Sequence, residues 1–70
     1  MNIIEKVRIL MIKCGNMSVG DLADGIGTTR QNIYNKFRRG DLRVSELQQI
    51  ADATGTELVI KFVLPNGDEV

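Results

Sequence analysis

The chain has no histidine, no tryptophan, one cysteine and one proline. Without histidine it lacks the side chain whose ordinary pKa suits general acid–base work near neutrality. The lone Cys14 cannot close an internal disulfide. With no histidine and no second cysteine beside it, Cys14 also makes a poor metal site. It reads as a small apolar residue near the end of a helix. No apolar run approaches the roughly 20 residues needed to span a bilayer, so no membrane partner is expected. Glu5, Lys6 and Arg8 interrupt the apolar residues at the N-terminus, which is not a signal-peptide pattern. A cytoplasmic location is the expectation. Charge of neither sign is in excess: nine basic side chains balance nine acidic ones.

The remaining composition is that of a folded domain. Seventy residues, 43% of them apolar, make one domain. Its core is small, since a chain of this length buries only roughly 60% of its unfolded surface. Nothing suggests catalysis. Cys14 has no activating neighbour. Asp21 and Asp24 read as exposed charges at a helix start. Gly25-Ile26-Gly27 is a fragment of a nucleotide-loop pattern, but it follows a helix rather than a strand. No cofactor, metal or small-molecule ligand is expected, and the chain is not expected to be an enzyme.

The zero net charge hides a segregated one. Residues 28–43 carry Arg30, Lys36, Arg38, Arg39 and Arg43 against Asp41 alone, a local balance of +4. Residues 44–70 carry Glu46, Asp52, Glu57, Asp68 and Glu69 against Lys61, a balance of −4. Residues 1–27 cancel. Such separation matters more to a charged partner than the total does.

Apolar spacing divides the chain into elements. Ile3, Val7, Leu10 and Met11 follow helical period over residues 2–13, Ile4 and Ile12 widen the stripe, and Gly15 stops it. A short helix over 18–26 begins at Ser18, with Asp21 in its first turn, and turns Leu22, Ala23 and Ile26 inward. Ala23 is small enough to let another helix approach. Gly27 suits a left-handed turn. A third helix over 28–39 has Thr28 as its expected cap, paired with Gln31 in a Thr-x-x-Gln box. Ile33 and Phe37 lie on one face of this helix. Gln31, Asn35 and Arg38 share the opposite face. A fourth helix over 44–54 has Val44, Leu47, Ile50 and Ala51 as its stripe, with Arg43 or Ser45 as cap and Gly55 as stop.

The period then changes to 2. Residues 56–64 read as a strand, with Leu58, Ile60, Phe62 and Leu64 on one face and Glu57, Val59, Lys61 and Val63 on the other. Pro65-Asn66-Gly67-Asp68 is a turn signal, and Glu69 and Val70 look too short for a useful return strand.

Helix, short turn, helix over 18–39 has the lengths of a helix-turn-helix, whose second helix enters the major groove of DNA. The residue types suit that task. Arginine can bind guanine through two acceptors, and glutamine or asparagine can pair with adenine. Arg30, Gln31 and Asn35 are the expected base-reading residues. Thr28, Thr29, Asn32, Tyr34, Lys36, Arg38, Arg39 and Arg43 are the expected phosphate contacts. A polar helix face is ordinarily just solvated. That alone does not explain the short helix and glycine turn placed before it.

The run from Met17 to Ile33, Met-Ser-Val-Gly-Asp-Leu-Ala-Asp-Gly-Ile-Gly-Thr-Thr-Arg-Gln-Asn-Ile, resembles the Cro and phage-repressor helix-turn-helix family, often called XRE. Ser45 to Gly55 resembles the family's fourth helix, and the likeness covers about residues 3–55. It implies a mainly α, lambda-repressor-like bundle of four helices, and this chain then ends in the C-terminal strand where repressor domains typically have a further helix. It also implies base contacts at Arg30, Gln31 and Asn35, with Thr29, Asn32, Lys36 and Arg38 near phosphates. Two positions depart from the family's pattern. Val19 stands where many phage members have glutamine, and Lys36 stands where they often have an apolar residue.

A lone strand leaves its own N–H and C=O groups unpaired. The expected pairing is antiparallel, with residues 56–64 of a second copy, making Val59, Lys61 and Val63 dimerisation residues; the resemblance implies the same. A strand folded back on its own helices, or a hairpin through Asn66-Gly67, is the other arrangement. The expected function is a small sequence-specific transcriptional regulator that binds double-stranded DNA as a homodimer. The alternative is a protein-interaction module, such as an antitoxin or anti-repressor, that grips its partner with the C-terminal strand.

Overall fold

The helices start where the sequence supplies acceptors for the N–H groups that a first turn leaves without partners. A computed structural model describes residues 2–70, and four helices are its regular elements: α1 Ile3–Lys13, α2 Val19–Ile26, α3 Arg30–Arg39 and α4 Val44–Thr54. The protein is mainly α, with no extended ladder of strands among the described residues. No described helix is long and apolar enough to cross a membrane.

The side chain of Asn2 caps α1 by accepting the Glu5 N–H at 2.9 Å. Ser18 caps α2 reciprocally. Its hydroxyl accepts the Asp21 N–H at 3.0 Å, and the Asp21 carboxylate accepts the Ser18 N–H at 3.1 Å. Those bonds, the Ser18 N–H first, hold the Asp21 carboxyl below its usual range. Gly27 closes α2 in the left-handed conformation, φ 86°, which a residue without Cβ adopts freely. The Ala23 carbonyl then accepts both the Gly27 and the Thr28 N–H at 2.9 Å.

That closure corrects the expected start of α3. The Thr28 N–H ends α2 and Thr28 Oγ1 accepts the Asn32 side chain, while Thr29 is the residue that caps. Thr29 Oγ1 accepts the Asn32 N–H at 3.2 Å, and the helix begins at Arg30 rather than at residue 28. Gln31 falls one place short of the capping-box position and is released to the helix surface. At α4 the cap position is Arg43, and the N–H of Arg43 is accepted by the Glu46 carboxylate at 2.8 Å.

The core is built from Ile4, Val7 and Met11 of α1, Leu22 and Ala23 of α2, Ile33 and Phe37 of α3, and Ile50 and Ala51 of α4. α2 packs against both α3 and α4. Leu22, fully buried, is its keystone. Close approach of α2 to α4 occurs at Gly25, where an added Cβ would lie 3.1 Å from the Cβ of Ala53. Two expected core positions are on the surface instead: Ile12 is 63% exposed and Val44 is 62% exposed. A bundle of four short helices has no further element to cover the outer flank of α1 or the first turn of α4. Cys14 is half-buried, its Sγ 3.9 Å from the Thr54 carbonyl oxygen.

The C-terminal segment differs most from expectation. Residues 56–64 do not form a continuous strand. Residues 57–61 make no backbone hydrogen bond to any other described residue. Pairing begins only at Phe62, which exchanges bonds with Val70 at 2.6 and 2.9 Å. Val63 bridges Glu69, and the Leu64 N–H meets the Asp68 carbonyl at 2.7 Å. The turn at Pro65–Asp68 is closed by the Asn66 side chain, which accepts the Asp68 N–H at 3.0 Å. Glu69 and Val70 therefore suffice as a short return, contrary to the sequence reading. Nor does the face carrying Leu58, Ile60, Phe62 and Leu64 cover the helices. Leu58 alone is half-buried, and Phe62 is 74% exposed. Thr56, Glu57 and Leu58 border α1 and α4; from Val59 onward every residue is exposed, and that stretch stands off the bundle as an arm. The radius of gyration of 13.4 Å and the longest dimension of 43 Å exceed a compact chain of this length, for which about 11 Å is expected.

Candidate nucleic-acid interface

The outer surface of α3 is set by how its inner surface is held. Ile33 and Phe37, one turn apart, are buried against the bundle. Arg8 of α1 lies with its guanidinium carbon 5.1 Å from the centre of the Phe37 ring, an attraction of cation for ring face that joins α1 to α3. Sequence alone did not indicate that contact. With this face fixed, period 3.6 puts Gln31, Asn35 and Arg38 on the outermost line.

Gln31 and Asn35 are tied together, Gln31 Nε2 donating to Asn35 Oδ1 at 3.0 Å. Both side chains are exposed, and they form one amide surface with donors and acceptors still free. Arg30 is exposed too, but it is not on that line. Its guanidinium lies back over α2, so close to Gly20 that a Cβ there would be 2.7 Å from Arg30 Nε. Asp21 is near enough for the positive charge of Arg30 to help lower its carboxyl pKa. The expected base-reading trio is therefore brought together as a pair, with the arginine seated on one flank. Gly20 supplies that seat, and no sequence signal had singled it out.

On the other flank, Asn32 Nδ2 donates to Thr28 Oγ1 at 2.7 Å. Thr29 is engaged in capping. Tyr34 is exposed, as are Arg38 and Arg43, which have no ion pair within the described residues. Lys36 and Arg39 are placed differently. Both reach toward α4, where Glu46 lies with its side chain only 10% exposed. Lys36 Nζ donates to Glu46 Oε2. Arg39 Nη2 donates to Glu46 Oε1 at 3.1 Å, and Arg39 also binds the side chain and carbonyl of Asp41. The carboxylate of Glu46 thus takes Lys36, Arg39 and the Arg43 N–H together. Chiefly through Lys36, then the Arg43 N–H, this pulls the Glu46 pKa from 4.5 down to about 2, against the effect of burial. Asp41 first, and then Glu46, raise Arg39 further above its ordinary value. Glu46 was missed as a site residue. Its place three residues after the cap position of α4 was the available signal.

Lys36 and Glu46 of this cluster line a groove of about 190 Å³ together with Thr28, Asn32 and Gln49, and the buried Ile33, Phe37 and Ile50 line it too. The arm lies elsewhere. Val59 and Val63 are exposed on it, and Lys61 pairs with Glu69 at 2.8 Å.

No family model, curated protein or solved structure matches this chain.

Proposed function

We propose that this protein is a small sequence-specific DNA-binding regulator acting in the cytoplasm. In this reading α2, the turn at Gly27 and α3 form a helix-turn-helix of the lambda-repressor type, and α3 enters the major groove. One observation carries the reading: on a capped helix anchored by Ile33 and Phe37, Gln31 and Asn35 form a joined amide surface on the outermost line. Amide side chains at that place can bond base edges in pairs. Arg30 is poised beside them for a guanine. Arg38 and Arg43 supply charge for phosphates, with Thr28, Asn32 and Tyr34 as neutral contacts. Nothing in this function is catalytic; the protein occupies a site.

The working form in this reading is a homodimer. Residues 57–61 offer unpaired backbone, and Val59, Ile60, Phe62 and Val63 expose apolar surface on both faces of the arm. Pairing with the same segment of a second copy satisfies both and sets two copies of α3 for two half-sites. The same exposed arm is what favours the second reading, a module that grips another protein.

Selection of bound duplexes from a random pool tests the proposal. The expected result is a two-part motif with half-sites about one helical turn, roughly 34 Å, apart. Arg30→Ala should weaken binding to the selected site by about 1–3 kcal/mol and relax one base position. A pool that never enriches, or an Arg30→Ala, Gln31→Ala double variant with unchanged affinity, refutes it.

A further inference from the structure

We infer that Glu46 withholds Lys36 and Arg39 from DNA, so that the ionic contacts fall to Arg30 and Arg38 of α3 and to Arg43 at the start of α4. This rests on the DNA-binding reading and adds to it a residue that limits sequence-independent attraction. Of the five cations between residues 28 and 43, two on α3 are bound to carboxylates of the domain: Lys36 to Glu46, and Arg39 to Glu46 and Asp41. The geometry is that of a phosphate site already filled. One anionic group, nearly closed off from water, accepts an ammonium, a guanidinium N–H and a backbone N–H. A phosphate oxygen offers Lys36 nothing that Glu46 does not already supply at closer quarters. Lys36 is also the less exposed of the two cations, with 24% of its side chain open. It sits on the flank toward α4 rather than on the line of Gln31 and Asn35.

Sequence-independent binding is driven by release of counterions, one group for each phosphate neutralised. A protein that ties up two of its own cations keeps that term small while leaving its base-reading surface intact. In this chain Glu46 is therefore a positioning residue for discrimination. It does not touch DNA itself.

The experiment measures binding to a random-sequence duplex as a function of salt, at a temperature where each variant is folded. For Glu46→Gln, which keeps an acceptor for the Arg43 N–H but loses the charge, the log–log slope should steepen by about 1–2 per protomer. Adding Lys36→Met to Glu46→Gln should return about one of those units. Asp52→Asn removes a charge from α4 without freeing a cation, and its slope should match the wild type. An unchanged slope in Glu46→Gln, or equal steepening in Asp52→Asn, overturns the inference and leaves DNA binding standing. A wild type that ignores DNA at every salt concentration overturns both. Should Glu46→Gln not fold, lysine labelling of the wild type decides: reductive methylation at Lys36 should be several-fold slower than at Lys13, and equal rates overturn the inference.

Discussion

Glu46→Gln should lower the stability of this protein at neutral pH and flatten its response to acid. The carboxyl of Glu46 titrates near 2 in the folded chain, against 4.5 ordinarily. At about 1.4 kcal/mol for each pH unit, that gap corresponds to roughly 3 kcal/mol. This is a ceiling, because the partners are not sealed from solvent: Lys36 is 24% and Arg39 47% exposed at the side chain. Screening of such half-open pairs reduces the effect to about 1–2 kcal/mol. The sign follows from the direction of the shift. Since the folded protein holds the proton more weakly than the unfolded chain, the stabilisation is complete above pH 4.5. It is lost as pH falls from 4.5 toward 2. Asp21 also titrates low because of its bonds to Ser18, but it does so in both proteins and cancels in the difference. Urea melts of wild type and Glu46→Gln, at half-unit steps from pH 7 to pH 2, give the difference curve directly. It should stand at about 1–2 kcal/mol near neutrality, on the order of 10 °C in Tm for a domain this small, and close mainly between pH 4.5 and 2. A difference that is absent at pH 7, or that does not change with pH, refutes the account of Glu46 as an ionised clamp.

Three further outcomes are expected. Gly20→Ala should leave Tm unchanged or raise it, since alanine favours helix over glycine by up to about 1 kcal/mol; its Cβ should displace the Arg30 guanidinium and alter the DNA sequence selected at one position, whereas a Tm lowered by many degrees would show the seat to be structural. Leu22→Ala should cost about 2–5 kcal/mol in chemical denaturation, because Leu22 is wholly enclosed, while Ile12→Ser should stay within about 0.5 kcal/mol of wild type; comparable losses for the two would contradict the assignment of the core. Truncation after Gly55 should keep the helical circular dichroism and abolish self-association in sedimentation; a full-length chain that remains monomeric at high micromolar concentration rules out the dimer.

Local rules were legible where they depend on neighbours in the sequence. The Ser18 and Asp21 pairing, the left-handed turn at Gly27 and the inward Ile33 and Phe37 follow from spacing and turn chemistry, and all are present. What failed depends on bonds made across element ends or on what lies beyond an element. Thr28 and Thr29 are equivalent caps by type; in the fold the Thr28 N–H closes α2 on the Ala23 carbonyl and the Thr29 hydroxyl caps α3. Ile12 and Val44 lie on apolar stripes by spacing, but a stripe does not reveal whether another helix will reach it. Alternation over residues 56–64 suggested a continuous strand, and only the bridge at Val63 is present. Alternation could not show that pairing would be confined to the stretch between Phe62 and Val70 while residues 57–61 made no backbone hydrogen bond to any other described residue. In the candidate site, Gln31 and Asn35 were readable from period. The diversion of Lys36 and Arg39 required knowing that Glu46 would be folded in beside them.

The stand-off of the arm bears on how such a chain can change over generations. Beyond Leu58 scarcely any side chain contributes to the core, so substitution, lengthening or exchange of that segment leaves the four helices with nearly all of their packing. In the proposed reading, the surface of α3 and the surface of the arm can accordingly drift under separate selection: one lineage would alter what it reads while keeping its companion, and another would change companion while keeping what it reads.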